Sequence, residues 1–132
     1  MRCTRGNLSG RGQVFEGDLF EPLPAALLGR VDILVANVPY VPTGEIELMP
    51  REARLFEARL SLDGGDDGLD VVRRVAAAAP SWLTPCGHLL VESSAAQAPA
   101  VATIFAANGL SAGITRSAEL DATVITGTRP AR

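Results

Sequence analysis

The stretch VDILVANVPYVPT, residues 31–43, decides the fold. Its first six residues form a nearly continuous run of β-branched and leucine side chains. Such a run is typical of a strand covered on both faces, as in a parallel sheet. The run stops at Asn37 and Pro39, two residue types that favour turns. We therefore predict a buried strand whose carboxyl end carries an exposed Asn-Val-Pro-Tyr segment.

Strand-like and helix-like segments alternate along the rest of the chain. Apolar residues at helical spacing predict helices over residues 69–83 and 98–108, and Pro99 suits the first turn of the second helix. The strand candidates are residues 13–17, 88–92, 110–116 and 123–128. Strands interleaved with helices indicate a layered α/β sheet. Because no helix separates the last two strands, we expect them to form an antiparallel pair at the edge.

The composition excludes several classes of protein. The 132 residues suit about one domain, and a 47% hydrophobic content with a net charge of −3 argues against disorder. No apolar run is long enough for a membrane span, and the first twenty residues lack the apolar stretch of a signal peptide. Two cysteines make no disulfide framework, which predicts a cytoplasmic protein. The acidic balance gives no general basic footprint for nucleic acid.

The residues after the first strong strand suit one chemistry. The Asn37 side chain offers a carbonyl oxygen, and Pro39 holds Val38 extended so that its main-chain oxygen is free to accept another hydrogen bond. Tyr40 adds a flat face. Two acceptors that grip the N–H groups of a planar amide or amine could orient its nitrogen toward an electrophilic methyl group. The competing interpretation is an ordinary turn with an Asn cap and an aromatic lid, which the preceding strand disfavours.

Together these segments resemble the HemK/PrmC family, the protein-(glutamine-N(5)) methyltransferases that modify peptide-release factors. The family's N-P-P-Y reads N-V-P-Y here, and GDLF at residues 17–20 resembles its adenine-binding turn. Three further stretches match in the same order: LDGGDDGLDVVRRV at 62–75, PCGHLLVESSAAQ at 85–97 and DATVITGTR at 121–129. The similarity covers residues 13–129. It implies a Rossmann-like class I methyltransferase sheet that uses S-adenosylmethionine.

The resemblance also implies roles for particular residues and partners. The matching positions are the catalytic Asn37, Val38, Pro39 and Tyr40, the adenine-side Asp18 and Leu19, and the substrate-side Glu57 and Glu92. The implied substrate is a release factor with a GGQ sequence. No metal is required, and no membrane partner is expected.

The chain departs from the family pattern at its N-terminal end. Residues 1–12 are expected to be a frayed segment and residues 13–132 a partial, N-terminally truncated catalytic domain, because no G-x-G-x-G follows a strand. The missing strands would leave an open edge beside residues 31–36, which invites a homodimer. Two alternatives therefore stay open. One is a non-catalytic remnant or dimerising binding module, and the other is a nucleic-acid base amino methyltransferase.

Several other residue groups have structural interpretations. We expect His88, Cys3 and Cys86 to have packing or loop roles. The acidic residues Asp63, Asp66, Asp67 and Asp70 lack calcium-loop spacing, which favours a solvated loop and a helix N-cap. Trp82 is expected in the core.

Overall fold

A computed structural model describes residues 11–40 and 65–131. A short 3-10 helix over Ala25–Leu27 precedes the first strand. The remaining elements in chain order are β1 (Val31–Ala36), α1 (Asp70–Trp82), β2 (Leu83–Ser93), α2 (Ala98–Ala107), β3 (Ser111–Ser117) and β4 (Ala122–Thr128). No helix within these described ranges is long and apolar enough to cross a bilayer.

The four strands form one sheet in the order β1-β2-β4-β3. β1 pairs with β2 in parallel, and β4 pairs antiparallel with both β2 and β3. The mixed α/β architecture and the antiparallel pair at the end of the chain are confirmed. The parallel pairing also places the carboxyl ends of β1 and β2 at the same side of the sheet.

The two helices and the sheet enclose the core. α1 begins at Asp70 and buries Val72, Val75, Ala76 and Ala79, which recur at helical spacing. α2 carries Pro99 in its first turn, ends before Gly109 at φ +83°, and buries Phe105 completely. These side chains pack on the strand residues whose side chains share one face of the sheet, among them Leu89, Val91 and Ile125.

The opposite sheet face is open among the described residues. Strand alternation places Ile33 and Val35 of β1, Leu90 of β2 and Val124 of β4 on this face. Ile33 is 65% exposed and Val35 is 72% exposed. The prediction that residues 31–36 form a strand is confirmed, but the prediction that both of its faces are covered is wrong. β1 is an edge strand with β2 on one side only, within the part of the chain that the structure describes.

Residues 13–17, predicted as a strand, have no regular secondary structure. No strand among residues 11–40 and 65–131 lies beside them, so their backbone groups have no ladder to join. Residues 88–92 do form a strand, but β2 starts earlier, at Leu83. Its register against β1 shifts between Val31 and Ile33, and the extra β2 residues include Cys86 at φ +66°.

Candidate functional site

Asn37 follows β1 at the carboxyl edge of the sheet, where the strand alternation ends. Its side chain is exposed and forms no hydrogen bond within residues 11–40 and 65–131. Val38 is only 6% exposed and packs its side chain into the core. The buried Val38 side chain anchors the backbone at this point, while the neighbouring carboxamide remains available to a ligand.

Asn37 lies between two clefts. The strand-end cleft, about 280 Å³, is on the open face of the sheet and is lined by Val35, Ala36, Asn37, Leu90, Val91, Glu92 and Val124. The turn cleft, about 230 Å³, is lined by Leu19, Phe20, Leu23, Leu34, Val35, Ala36, Asn37, Val38 and Val75. Both clefts have mainly apolar walls, and Asn37 lines both of them.

A third cavity, the polar cavity, lies beside Tyr40. It measures about 370 Å³ and is lined by Tyr40, Glu92, Ser93, Ser94, Ala95, Arg116, Asp121 and Thr123. Glu92 lines this cavity and the strand-end cleft, so it connects the surroundings of Asn37 and Tyr40. The structure thus brings together three of the predicted site residues, Asn37, Tyr40 and Glu92.

Sequence reasoning missed the charged pair in the polar cavity. Arg116 on β3 donates to Asp121 Oδ1 and to Thr123 Oγ1, both at 3.4 Å. Asp121 lies in the turn between β3 and β4 at φ +46°. The antiparallel pairing of these strands was the available signal, because it brings residues 116 and 123 opposite each other. Arg116 therefore adds a cation to a cavity that contains Glu92.

The predicted adenine-side turn lies on the other side of Asn37. The Glu21 amide donates to the Asp18 carbonyl at 3.0 Å, which closes the turn, and Leu19 adopts φ +50°. A bulky residue in this region is strained, and such strain persists where packing holds it. Leu19 packs on the core and lines the turn cleft. The Asp18 carboxylate instead accepts a hydrogen bond from Arg74 Nη2 at 2.5 Å.

The acidic loop before α1 is organised by Asp67. Its Oδ1 accepts from the Leu69 amide at 3.0 Å, and both carboxylate oxygens accept from the Arg73 guanidinium. The hydrogen bonds from Arg73 and Leu69 lower the pKa of Asp67 from 3.8 to about 2. Pairing with Asp67 in turn raises the pKa of Arg73. The predicted solvated loop is present, with Asp70 in the first turn of α1, but the predicted acidic N-cap is wrong, because Leu69 occupies that position and no side chain caps the helix.

The described residues fit only part of S-adenosylmethionine. The turn cleft offers apolar walls from Leu19, Phe20 and Leu34, which suit the flat adenine group. A cofactor carboxylate needs several main-chain N–H donors or a cation, and the cleft lining contains no basic residue. Among residues 11–40 and 65–131, no group of three or more His, Cys, Asp or Glu side chains is arranged to hold a metal.

Glu57, with its neighbours Phe56 and Ala58, lies outside the described residues, as do Cys3 and Asp63. The other residues expected to have packing or loop roles are Trp82, Cys86 and His88. Trp82 is partly buried and stacks on Phe20, while Cys86 and His88 are exposed. His88 Nδ1 lies 2.9 Å from Thr128 Oγ1, a contact between neighbouring strands.

Comparison with known proteins finds relatives over part of their length. The chain is 46% identical over 99 residues to a release factor glutamine methyltransferase of Geobacter sulfurreducens, covering 75% of this chain and 34% of the relative. It is 45% identical over 86 residues to one of Cereibacter sphaeroides, covering 65% and 31%. A ribosomal protein uL3 glutamine methyltransferase of Bordetella pertussis is 45% identical over 85 residues, covering 64% and 27%. Over about a third of their length, the chain is thus similar to the glutamine methyltransferases of the HemK/PrmC family.

No protein-family model matches the sequence. The chain spans about a third of the length of the HemK/PrmC relatives named above. Two of those relatives are named for release factors and one for the ribosomal protein uL3, but all three are named as glutamine methyltransferases. The names of these three relatives therefore share the acceptor side chain, which is a glutamine.

Proposed function

We propose that this chain contributes the acceptor-binding half of an S-adenosylmethionine-dependent glutamine N(5)-methyltransferase active site. The observation that carries the proposal is the exposed Asn37 carboxamide, which lies between two clefts and has no hydrogen-bond partner within the described residues. Asn37, Val38, Pro39 and Tyr40 act on the acceptor, and Glu92 supports the same side. The resemblance to the family motif adds Glu57 to that group.

The residues act by orienting a weak nucleophile. The nitrogen of a glutamine amide shares its lone pair with the carbonyl group, so it reacts poorly unless it is held in place. The Asn37 Oδ1 and the Val38 carbonyl each accept one N–H of that amide, which directs the lone pair toward the methyl donor. Pro39 restricts Val38 to an extended backbone, and the Tyr40 ring packs against the flat amide.

S-adenosylmethionine supplies an electrophilic methyl group on its sulfonium. On methyl transfer, the bond between the sulfonium sulfur and the methyl carbon breaks, an N–C bond forms on the glutamine nitrogen, S-adenosylhomocysteine leaves as a neutral thioether, and the displaced amide proton passes to water. Leu19 and Phe20, which line the turn cleft, would pack against the adenine group of S-adenosylmethionine, on the side of the neighbouring Asp18.

The favoured substrate is a release factor with a GGQ sequence. This choice follows the names of most relatives reported above, whereas the uL3 enzyme makes a ribosomal protein the second candidate. Both are protein glutamines, which disfavours a nucleic-acid base as the acceptor. A cytoplasmic setting agrees with either substrate, because both act in translation.

A transfer assay with radiolabelled S-adenosylmethionine tests the proposal. The chain is incubated with a GGQ-containing release factor, with uL3 and with single-stranded DNA as a third acceptor. We expect label only on protein glutamine, and we expect Asn37→Ala to reduce the rate about 10²-fold. The control is Gln13→Ala, which removes an exposed polar side chain outside the site. An unchanged rate in Asn37→Ala would contradict the proposed role.

Calorimetric titration with S-adenosylmethionine separates the enzyme from the non-catalytic alternative. A chain that folds by circular dichroism but neither binds the co-substrate nor transfers a methyl group is a remnant or a binding module. We expect binding by the 132 residues to be weak, because the turn cleft fits only the adenine end.

We further propose that the chain forms a homodimer through β1. In the part of the chain that the structure describes, β1 is paired on one side only, and it exposes Ile33 and Val35. An antiparallel β1–β1 pairing across a two-fold axis would satisfy the free main-chain groups of both copies.

A further inference from the structure

The side chain of Gln97 joins three separate segments at the candidate site. Gln97 precedes α2, and its Nε2 donates to the Tyr40 carbonyl at 2.8 Å and to the Asp67 carbonyl at 3.1 Å. Its Oε1 accepts from Ser94 Oγ at 2.9 Å. One carboxamide therefore connects the end of the Asn-Val-Pro-Tyr segment, the acidic loop before α1 and the loop after β2.

These partners fix which way the Gln97 amide faces. An amide nitrogen has two N–H donors, and each has a carbonyl acceptor here. If the amide turned over, its oxygen would face two carbonyl oxygens and its nitrogen would lose both acceptors. The Ser94 hydroxyl, on the oxygen side, supports the same orientation. The arrangement is thus a specific connection rather than a general polar contact.

Gly68 shows how closely the segments approach. It is buried at φ +82°, a conformation that favours glycine. A Cβ atom at this position would overlap both the Tyr40 carbonyl oxygen and Gln97 Nε2. The acidic loop can reach the Gln97 amide only because residue 68 has no side chain. The backbones of the Asn-Val-Pro-Tyr segment and of the acidic loop therefore both lie against the Gln97 carboxamide.

We propose that Gln97 is a positioning residue that holds Tyr40 at the acceptor site. The inference rests on the proposed function, since it assigns Tyr40 to the acceptor. Because Gln97 fixes the Tyr40 carbonyl, it limits how far the Tyr40 ring and the adjoining Pro39 can move from the polar cavity. Ser94 contributes in three ways, because it lines that cavity, donates to the oxygen of the Gln97 side chain, and accepts from the Gln97 main-chain N–H at 3.2 Å. Gln97 contacts no reacting atom in this account.

The single tyrosine in the chain provides a direct readout. Biosynthetic incorporation of 3-fluorotyrosine labels Tyr40 alone, and its fluorine NMR resonance reports the surroundings of the ring. The decisive variant is Gln97→Glu, which keeps the length of the side chain but replaces both N–H donors with a carboxylate. We expect its Tyr40 resonance to shift or broaden, and Gln97→Ala should do the same. Gln13→Ala, at an exposed glutamine, should leave the resonance unchanged.

Ser94→Ala is the graded variant. It keeps both side-chain donors of Gln97 and removes a hydroxyl that hydrogen-bonds the Gln97 side-chain oxygen and main-chain N–H, so its shift should be smaller than that of Gln97→Glu. Circular dichroism verifies folding, and if Gln97→Ala fails to fold, the other two variants decide. A Tyr40 resonance that is unchanged in folded Gln97→Glu overturns the proposal, as does an equal shift in Ser94→Ala.

The fluorine measurement needs no methyl transfer, so it separates this inference from the proposed function. Where the parent chain is active, Gln97→Glu should lower kcat by about tenfold or more and leave the KM for S-adenosylmethionine within about twofold. A resonance shift without any methyl transfer in the parent removes the proposed function but keeps the connection between Gln97 and Tyr40. Transfer at an unchanged kcat in Gln97→Glu overturns the positioning role.

Discussion

The rings of Phe20 and Trp82 stack with their centroids 5.7 Å apart and their planes inclined by 14°. Phe20 belongs to the turn beside Asn37, whereas Trp82 is the last residue of α1. The contact fixes the turn against a helix that is itself packed on the sheet. The chain contains no other tryptophan, so its fluorescence reports on this contact.

We expect Phe20→Ala to destabilise the fold by about 1–2 kcal/mol, because it removes a partly buried ring and leaves Trp82 without its stacking partner. The emission of Trp82 should shift to longer wavelength in the folded variant as water reaches the indole. Phe15→Ala is the matched control, since Phe15 is 37% exposed and outside the stack. Equal destabilisation by the two variants in urea titrations would contradict a special role for the stack.

A second prediction concerns Cys86, which adopts φ +66° in the irregular first part of β2, where the register against β1 shifts. This backbone region costs an L-residue about 1 kcal/mol and costs glycine little. Cys86→Gly should therefore stabilise the fold by up to about 1 kcal/mol, or about 3 °C in melting temperature. Cys86→Ala keeps the Cβ atom and should give no such gain. A gain of the same size in Cys86→Ala would show that the thiol, rather than the backbone, was the cause.

The sequence was sufficient to predict those elements whose apolar pattern is local. The helical spacing from Val72 to Ala79 predicted α1, and the absence of a helix between residues 110–116 and 123–128 predicted the antiparallel pair. Residues 13–17 show the limit, because a strand forms only where another strand supplies its hydrogen bonds. Likewise, the apolar run of residues 31–36 does not by itself reveal that Val35 is 72% exposed.

Site residues within one sequence motif could be predicted from the sequence. Contacts between segments that are distant in the sequence could not. The position of Asn37 at a strand end followed from the abrupt change in residue type after Ala36. The Arg116–Asp121 pair and the Gln97–Tyr40 hydrogen bond depend on how the chain folds back on itself. Residue spacing alone does not encode such contacts, although Gln97 lies in a stretch that already resembled the family.

A third prediction follows from the low pKa of Asp67, which is about 2 in the folded chain against an ordinary value of 3.8. Because the folded state binds this proton less readily than the unfolded state, the contribution to stability is present above pH 3.8 and is lost as the pH falls toward 2. Asp67→Asn should therefore be less stable than the parent at neutral pH, and the difference should shrink at acid pH. Urea titrations at several pH values measure it, with Asp66→Asn as the exposed control. A difference independent of pH would indicate that the loss arises from loop geometry instead.

The last prediction concerns the edge of the sheet. If β1 of one copy pairs with β1 of another, the Val35 side chains of both copies lie on one continuous face, where a charge is unfavourable. Size-exclusion chromatography with light scattering should then show a dimer for the parent chain and a folded monomer for Val35→Lys. Leu120→Lys is the matched control, because Leu120 is 76% exposed, apolar and located in the turn between β3 and β4, away from β1. A monomeric parent, or equal dissociation by both variants, would show that the open edge of β1 is not the interface between copies.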